Sequence, residues 1–209
     1  MKKALAFLMA AVMLMSMLTA CGNKDNAADN NDNDVNTEET DKAAADKVAA
    51  LIDAIYVQAR TEETDAQCEA AKAAWDALTD AQKALVEGEE ASPDYFGLDT
   101  GDASKDDPRN QDEIGEKELL VVSFGTSFND SRVADIKSIE DALQEANPDW
   151  SVRRAFTAQI IINHIQARDG EKIDNMEQAL ERAVANGVKQ LVVPVSYTHL
   201  RAHETTLHL

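Results

Sequence analysis

Residues 119–127 read Leu-Leu-Val-Val-Ser-Phe-Gly-Thr-Ser, and this stretch decides the fold. Four successive apolar residues closed by a turn are typical of a strand buried on both faces, as in a parallel sheet covered by helices. The turn then lies at the carboxyl end of the strand, where open α/β sheets bind ligands. Gly125 allows backbone to approach a ligand, and its neighbours offer hydroxyls. The candidate binding residues here are Ser123, Phe124, Gly125, Thr126 and Ser127.

Helices and strands alternate after this turn. The predicted elements are a helix from Asn129 or Asp130 to the Asn147-Pro148 stop, a strand over 151–157, a helix over 159–167, a helix capped by Asp174 with Glu177 and stopped by Asn186-Gly187, and a strand over 190–193. This order predicts an α/β fold, the first half of a doubly wound parallel sheet domain.

A small all-α module is predicted upstream. Apolar residues at Val48, Leu51, Ile52 and Ile55 follow helical spacing. Capping-box spacing, Thr64 with Gln67 and Thr79 with Gln82, predicts two further helix starts. Cys68, Trp75 and Tyr56 are expected in the module core, although the two aromatic residues could instead form a binding face.

Residues 73–86 of this module, Ala-Ala-Trp-Asp-Ala-Leu-Thr-Asp-Ala-Gln-Lys-Ala-Leu-Val, resemble a helical unit repeated in surface proteins of Gram-positive bacteria. The resemblance implies a surface protein but indicates no ligand.

The amino terminus has the order of an export signal. Two lysines precede an apolar stretch over residues 4–18, which is short of the roughly 20 residues needed to span a membrane. Leu18-Thr19-Ala20-Cys21 resembles the lipobox of bacterial lipoproteins, which implies cleavage before Cys21 and lipid attached to that residue. We therefore expect an extracytoplasmic protein anchored by lipid to the bacterial cell membrane.

The formal net charge of -19 argues against nucleic-acid binding, since phosphate contacts need clustered Lys and Arg. Much of the acidic charge falls in two stretches that we interpret as solvated spacers. The predicted division is a lipoprotein signal peptide over 1–20, a disordered tether over 21–41, the helical module over 42–88, an acidic linker over 89–117, a partial α/β domain over 118–194 and a non-native tail over 195–209.

Three motifs in register resemble the anaerobic sirohydrochlorin cobaltochelatases, which are class II chelatases. They are residues 119–127, 154–157 (Arg-Ala-Phe-Thr) and 168–170 (Arg-Asp-Gly), followed by the helix over 173–187. The resemblance implies two similar α/β halves with a tetrapyrrole in the cleft between them, and a lyase that inserts Co2+, or another divalent metal, into sirohydrochlorin. Co2+ is then a substrate metal, and no resident cofactor is expected.

The resemblance also suggests a role for the candidate site. Groups of residues 123–127 would meet carboxylates of the macrocycle, and Thr157 belongs to the same set. Arg154 would either pair with such a carboxylate or form a surface ion pair.

The family's metal-binding histidines lie beyond the matched motifs, so none is assigned here. His164 is expected to be partly buried or on the surface rather than a metal ligand. His199 and His203 have the spacing of a helical metal pair, but residues 195–205 read like a translated sequencing adapter. We therefore expect a truncated, inactive fragment, and nothing in the sequence indicates an oligomeric state.

Two alternatives remain open. One is a surface lipoprotein that binds tetrapyrrole or metal for uptake without catalysis. The other is an adhesion module joined to a vestigial chelatase-like part.

Overall fold

The computed structural model describes the backbone of residues 32–197 and the side chains of residues 37–195. The predicted signal, the lipidation site Cys21, and His199 and His203 lie outside the described residues. The described residues from Thr37 onward belong to one compact unit. Within the described range, no helix combines the length and the apolar character that crossing a membrane requires.

The helices and strands follow in the order expected for a helical module joined to an α/β region. They are α1 (Asp32–Ile55), α2 (Thr64–Asp76), α3 (Asp80–Lys83), a 3-10 turn (Ala103–Lys105), β1 (Lys117–Ser123), α4 (Asn129–Ser131), a π-helix (Arg132–Lys137), α5 (Ser138–Ala146), β2 (Ser151–Phe156), α6 (Gln159–Asp169), α7 (Met176–Ala185), β3 (Gln190–Val192) and β4 (Val195–Tyr197).

The sheet is parallel, with β1 at its centre between β2 and β3. β1 pairs with β2 along its length, from Glu118 opposite Ser151 to Ser123 opposite Phe156. β3 pairs with the start of β1, and β4 continues the same edge beside Val122 and Ser123. The predicted α/β fold with a parallel sheet is confirmed.

Helices cover both faces of this sheet. On one face Leu120 and Val122 pack with Ala179 of α7. On the other face Leu119 and Val121 pack against Leu143 of α5. Burial on both faces explains the unbroken apolar run of β1.

The helical module packs on α6. Its core includes Cys68 and Trp75, both buried as predicted, and reaches Ala167 of α6. Tyr56, in contrast, is 37% exposed and lies outside this core. Helix α1 begins at Asp32, so residues 32–41, expected in a disordered tether, are helical.

Residues 89–117, expected to form a linker, are packed against the rest of the unit. Tyr95 and Phe96 join the core of the helical module, and Ile114 is buried. Arg109 covers the outer edge of β2, because its carbonyl accepts the N–H of Arg154 at 3.2 Å. Within the segment, Asp106 pairs with Arg132 and Arg154, and Asp112 pairs with Arg182. Local composition does not reveal these partners.

The helix caps differ partly from the predicted ones. Thr79 and Gln82 form the expected capping box at the start of α3. Helix α2 begins after Glu63 without a side-chain cap, and Thr64 instead accepts the N–H of Thr61. Helix α7 is capped by Asn175.

Asp174, expected as the cap of α7, lies one residue before the actual cap, Asn175, and is buried. Its carboxylate pairs with Arg182 at 2.8 Å and with Arg153 at 3.4 Å. The tertiary fold brings these two arginines close to Asp174, so its carboxylate binds them and does not cap the helix. The neighbouring amide side chain of Asn175 caps the helix instead.

Candidate functional site

The turn after β1 lies at the carboxyl edge of the sheet, as the apolar run predicts. Gly125 has a φ of +97°, a conformation that favours glycine. A Cβ at this position would lie 2.5 Å from Cδ2 of Phe156, so the turn backbone rests directly on that ring. The glycine is therefore required both by its backbone conformation and by the space available.

Two backbone hydrogen bonds tie the turn to the residues after β2. The N–H of Thr157 donates to the carbonyl of Ser123 at 2.9 Å, and the N–H of Ala158 donates to the carbonyl of Phe124 at 3.3 Å. Thr126 is held locally, because its hydroxyl accepts the N–H of Phe128 at 3.2 Å. The structure thus brings Thr157 and the 123–127 turn together.

Two arginines hold the far side of the turn. Arg168 of α6 donates through Nη2 to the carbonyl of Ser127 at 2.6 Å and to Oδ1 of Asn129 at 3.2 Å. Arg132 donates to the same Asn129 oxygen at 2.7 Å and to the carbonyl of Thr126 at 3.4 Å. Arg168 was not among the candidate residues, although its Arg-Asp-Gly motif was one of the three signals of resemblance.

Two polar groups at this turn have no hydrogen-bond partner among the described residues. One is the hydroxyl of Ser123, which is 1% exposed, and the other is Nη1 of Arg168, whose side chain is 8% exposed. Buried polar groups are nearly always paired in folded proteins. The unpaired hydroxyl of Ser123 and the unpaired guanidinium nitrogen of Arg168 can both donate a hydrogen bond. They therefore suit a carboxylate or another polar acceptor beside the glycine turn.

Arg154 lies beneath the turn and is fully buried. All three of its guanidinium nitrogens donate to carboxylates, with Glu140 at 2.7 and 2.8 Å and Asp106 at 2.7 and 3.0 Å. It also lies 5.7 Å from the ring centre of Phe156. Of the two roles predicted for Arg154, the structure shows an ion pair, but one that is buried rather than on the surface. Arg154 also supports the ring on which Gly125 rests.

Burial and pairing oppose each other in this ionic cluster. Burial would raise the pKa of Asp106, but hydrogen bonds from Arg154 and Arg132 outweigh it and hold the pKa below its usual value. For Glu140 burial outweighs the hydrogen bonds from Arg154, and the pKa is raised. The pKa of Arg154 is raised, because the two carboxylates overcome the effect of its burial.

His164 lies on the module side of α6 rather than at the turn. Its ring stacks on Tyr95 with centroids 4.3 Å apart, and its Nε2 has no partner among the described residues. Burial, with a contribution from the charge of Arg168, lowers its pKa to about 4. Among residues 37–195, no group of three or more His, Cys, Asp or Glu side chains is arranged to hold a metal ion.

An open cavity of about 450 Å³ lies beside the amino end of α7. Its walls come from Arg60, Thr61 and Glu62 of the helical module, and from Asn175 and residues of α7. Three of the lining side chains are glutamates, so this cavity suits an anionic ligand less well than the turn does.

A parallel sheet covered by helices, with a glycine turn at its carboxyl edge, places this region among the α/β proteins. In such open sheets the carboxyl ends of the strands are where ligands bind. Residues 117–202 match the family model described as Cobalt chelatase (CbiK). A curated sirohydrochlorin cobaltochelatase of Salmonella typhimurium is 41% identical over 78 residues, which cover 37% of this chain and 30% of that relative. No solved structure gives a significant match.

The bounds of the matched region differ from the bounds of the predicted domains. The matched region begins at residue 117, so the helical module lies outside it. It extends to residue 202, eight residues past the boundary at 194 that the sequence pattern predicts. The α/β region, including the turn, is thus similar to cobalt chelatases, while the aligned part spans less than a third of the curated relative.

Proposed function

We propose that this chain belongs to a cobalt chelatase that inserts Co2+, or another divalent metal, into sirohydrochlorin during anaerobic cobalamin biosynthesis. The region similar to cobalt chelatases contains the glycine turn. The observation that carries the proposal is the pair of unpartnered polar groups at that turn, on Ser123 and Arg168.

In this proposal the turn positions the macrocycle. Acetate and propionate groups of the tetrapyrrole accept hydrogen bonds from the Ser123 hydroxyl, from Arg168 and from N–H groups of residues 123–127. Thr157 lies beside the turn and belongs to the same wall. Phe128 is 48% exposed next to it and offers an aromatic surface for the flat ring. Arg154 supports this wall from beneath.

This proposal assigns neither a metal ligand nor a base for the pyrrole protons among the described residues. Metal insertion needs a ligand such as neutral imidazole, and His164 is stacked on Tyr95 away from the turn.

We also propose an extracytoplasmic location with lipid on Cys21. The proposal rests on the Leu-Thr-Ala-Cys order after an apolar stretch. Mass spectrometry of the mature amino terminus from bacterial membranes should show a diacylglycerol-modified cysteine. A Cys21→Ser variant that still fractionates with membranes in the same manner would contradict this location.

The binding proposal is tested by an absorbance titration of sirohydrochlorin with the purified chain. Ser123→Ala should weaken binding about fivefold, the equivalent of one hydrogen bond, with no loss of stability because the hydroxyl has no protein partner among the described residues. Ser138→Ala, on the exposed side of α5, is the matched control. Absence of binding by the unmodified chain would overturn the proposal.

The same titration, followed by addition of Co2+, separates catalysis from simple capture. Metallation above the spontaneous rate supports the chelatase. Tight binding without metallation would instead favour a surface protein that captures tetrapyrrole for uptake.

A further inference from the structure

The helical module contacts the α/β region through a chain of hydrogen-bonded amide side chains. Nδ2 of Asn163 donates to the carbonyl of Ile55, the last residue of α1, at 2.8 Å. Nε2 of Gln159 donates to Oδ1 of Asn163 at 2.8 Å. Nδ2 of Asn175 then donates to Oε1 of Gln159 at 2.9 Å, and Asn175 caps α7. The end of α1 is thereby joined to the carboxyl edge of the sheet.

A second contact caps the first turn of α6. This helix has Ala158 at its N-cap position, which offers no side-chain acceptor. Oε1 of Gln58, in the loop between α1 and α2, accepts the N–H of Gln159 at 3.2 Å. The module therefore provides a cap for α6, whose own N-cap residue cannot supply one.

The capped residue directly follows the segment that holds the candidate binding turn. Ala158 and Thr157 donate their N–H groups to the carbonyls of Phe124 and Ser123. A cap on Gln159 restrains the start of α6, and with it these two donors. Because Gln58 is exposed, the packing of the core does not depend on this hydrogen bond.

We propose that Gln58 is a positioning residue for the tetrapyrrole site, and that the helical module holds the 123–127 turn in its binding geometry through α6. This inference rests on the proposed function. It assigns to the module a role in the site although the module lies outside the region similar to cobalt chelatases.

The test uses the chemistry of the cap. Gln58→Leu keeps the approximate size of the side chain and removes the acceptor, whereas Gln58→Glu retains an acceptor that also suits a helix amino terminus. Gln67→Leu, at an exposed position of α2, is the matched control. For each protein we would measure sirohydrochlorin affinity, thermal unfolding, and hydrogen exchange of the amides of residues 157–159.

The proposal predicts that Gln58→Leu weakens binding about fivefold, the equivalent of one lost cap, and accelerates exchange at 157–159. Gln58→Glu and Gln67→Leu should behave like the unmodified chain in both measurements. Equal affinity in Gln58→Leu and the unmodified chain would overturn this inference alone, as would equal losses in the Leu and Glu variants. No binding by the unmodified chain would overturn the proposed function and this inference together.

Discussion

Gly125 shows how one residue can determine the shape of a binding turn. Its positive φ and its contact with the Phe156 ring are independent constraints, because one concerns the backbone and the other the space around it. Gly170 offers a comparison within the same chain. It has a φ of +73°, but a Cβ added there would meet no atom within 4 Å, so only the backbone constraint applies.

Gly125→Ala should therefore lower the free energy of unfolding by about 3 kcal/mol, combining backbone strain with displacement of a buried ring. Gly170→Ala should cost about 1 kcal/mol, from backbone strain alone. Urea unfolding of the two variants measures both values. Equal losses of unfolding free energy in the two variants would show that the Phe156 ring moves aside easily and does not define the turn.

His164 is a partly buried residue whose ionisation should affect stability. Its pKa in the folded chain is about 4, below the ordinary value of 6.5, so the unfolded chain takes up the proton first as the pH falls. The stabilisation is complete above pH 6.5 and is lost progressively towards pH 4. The full shift corresponds to at most about 3 kcal/mol.

His164→Phe keeps a ring to stack on Tyr95 and removes this proton. The difference in unfolding free energy between the unmodified chain and the variant should therefore change between pH 7 and pH 4, in favour of the variant at low pH. Denaturant titrations at several pH values measure that difference. A difference that stays constant over this range would mean that His164 is not held neutral by burial.

At the scale of elements, the regular structure was largely predictable. Strands β1 and β2 and helices α5, α6 and α7 follow from apolar runs, helical spacing and Asn-Pro or Asn-Gly stops, all of which act within a few residues. The caps at Thr64 and Asp174 were predicted wrongly, because Thr61 and two arginines bind those side chains in the folded chain.

The candidate site was also predictable only in part, because tertiary packing decides which side chains reach it. The turn follows from the local pattern, but the arginine that reaches it depends on how α6 packs. Arg168 contacts the turn, while Arg154, the arginine chosen from the sequence, is held by Glu140 and Asp106. Two adjacent arginines in a strand buried on both faces were a signal that acidic partners had to lie nearby.

The ion pair between β2 and α5 gives an element-scale prediction. Glu140→Gln removes one of the carboxylates that pair with the buried Arg154. It should lower the free energy of unfolding by about 3 kcal/mol. Asp141→Asn removes a neighbouring carboxylate that is about half exposed, and should cost less than about 1 kcal/mol. If both variants unfold at the same urea concentration, the buried pair contributes no more than a surface one.

At the scale of the whole molecule, the helical module and the α/β region behave as parts of one compact unit. The chain contains two tryptophans, Trp75 in the module and Trp150 beside the sheet, and each reports on its own part. Trp75→Phe and Trp150→Phe variants, each with one tryptophan left, should show coincident fluorescence transitions in urea. Separate transitions would indicate that the module unfolds independently and only tethers the α/β region.

Hydrogen exchange with and without sirohydrochlorin shows whether a tetrapyrrole binds at the glycine turn on the carboxyl edge of the sheet. Binding there should slow exchange at the amides of residues 123–127 and 157–159. Protection confined to residues 60–62 and 175–181, around the cavity beside α7, would contradict it.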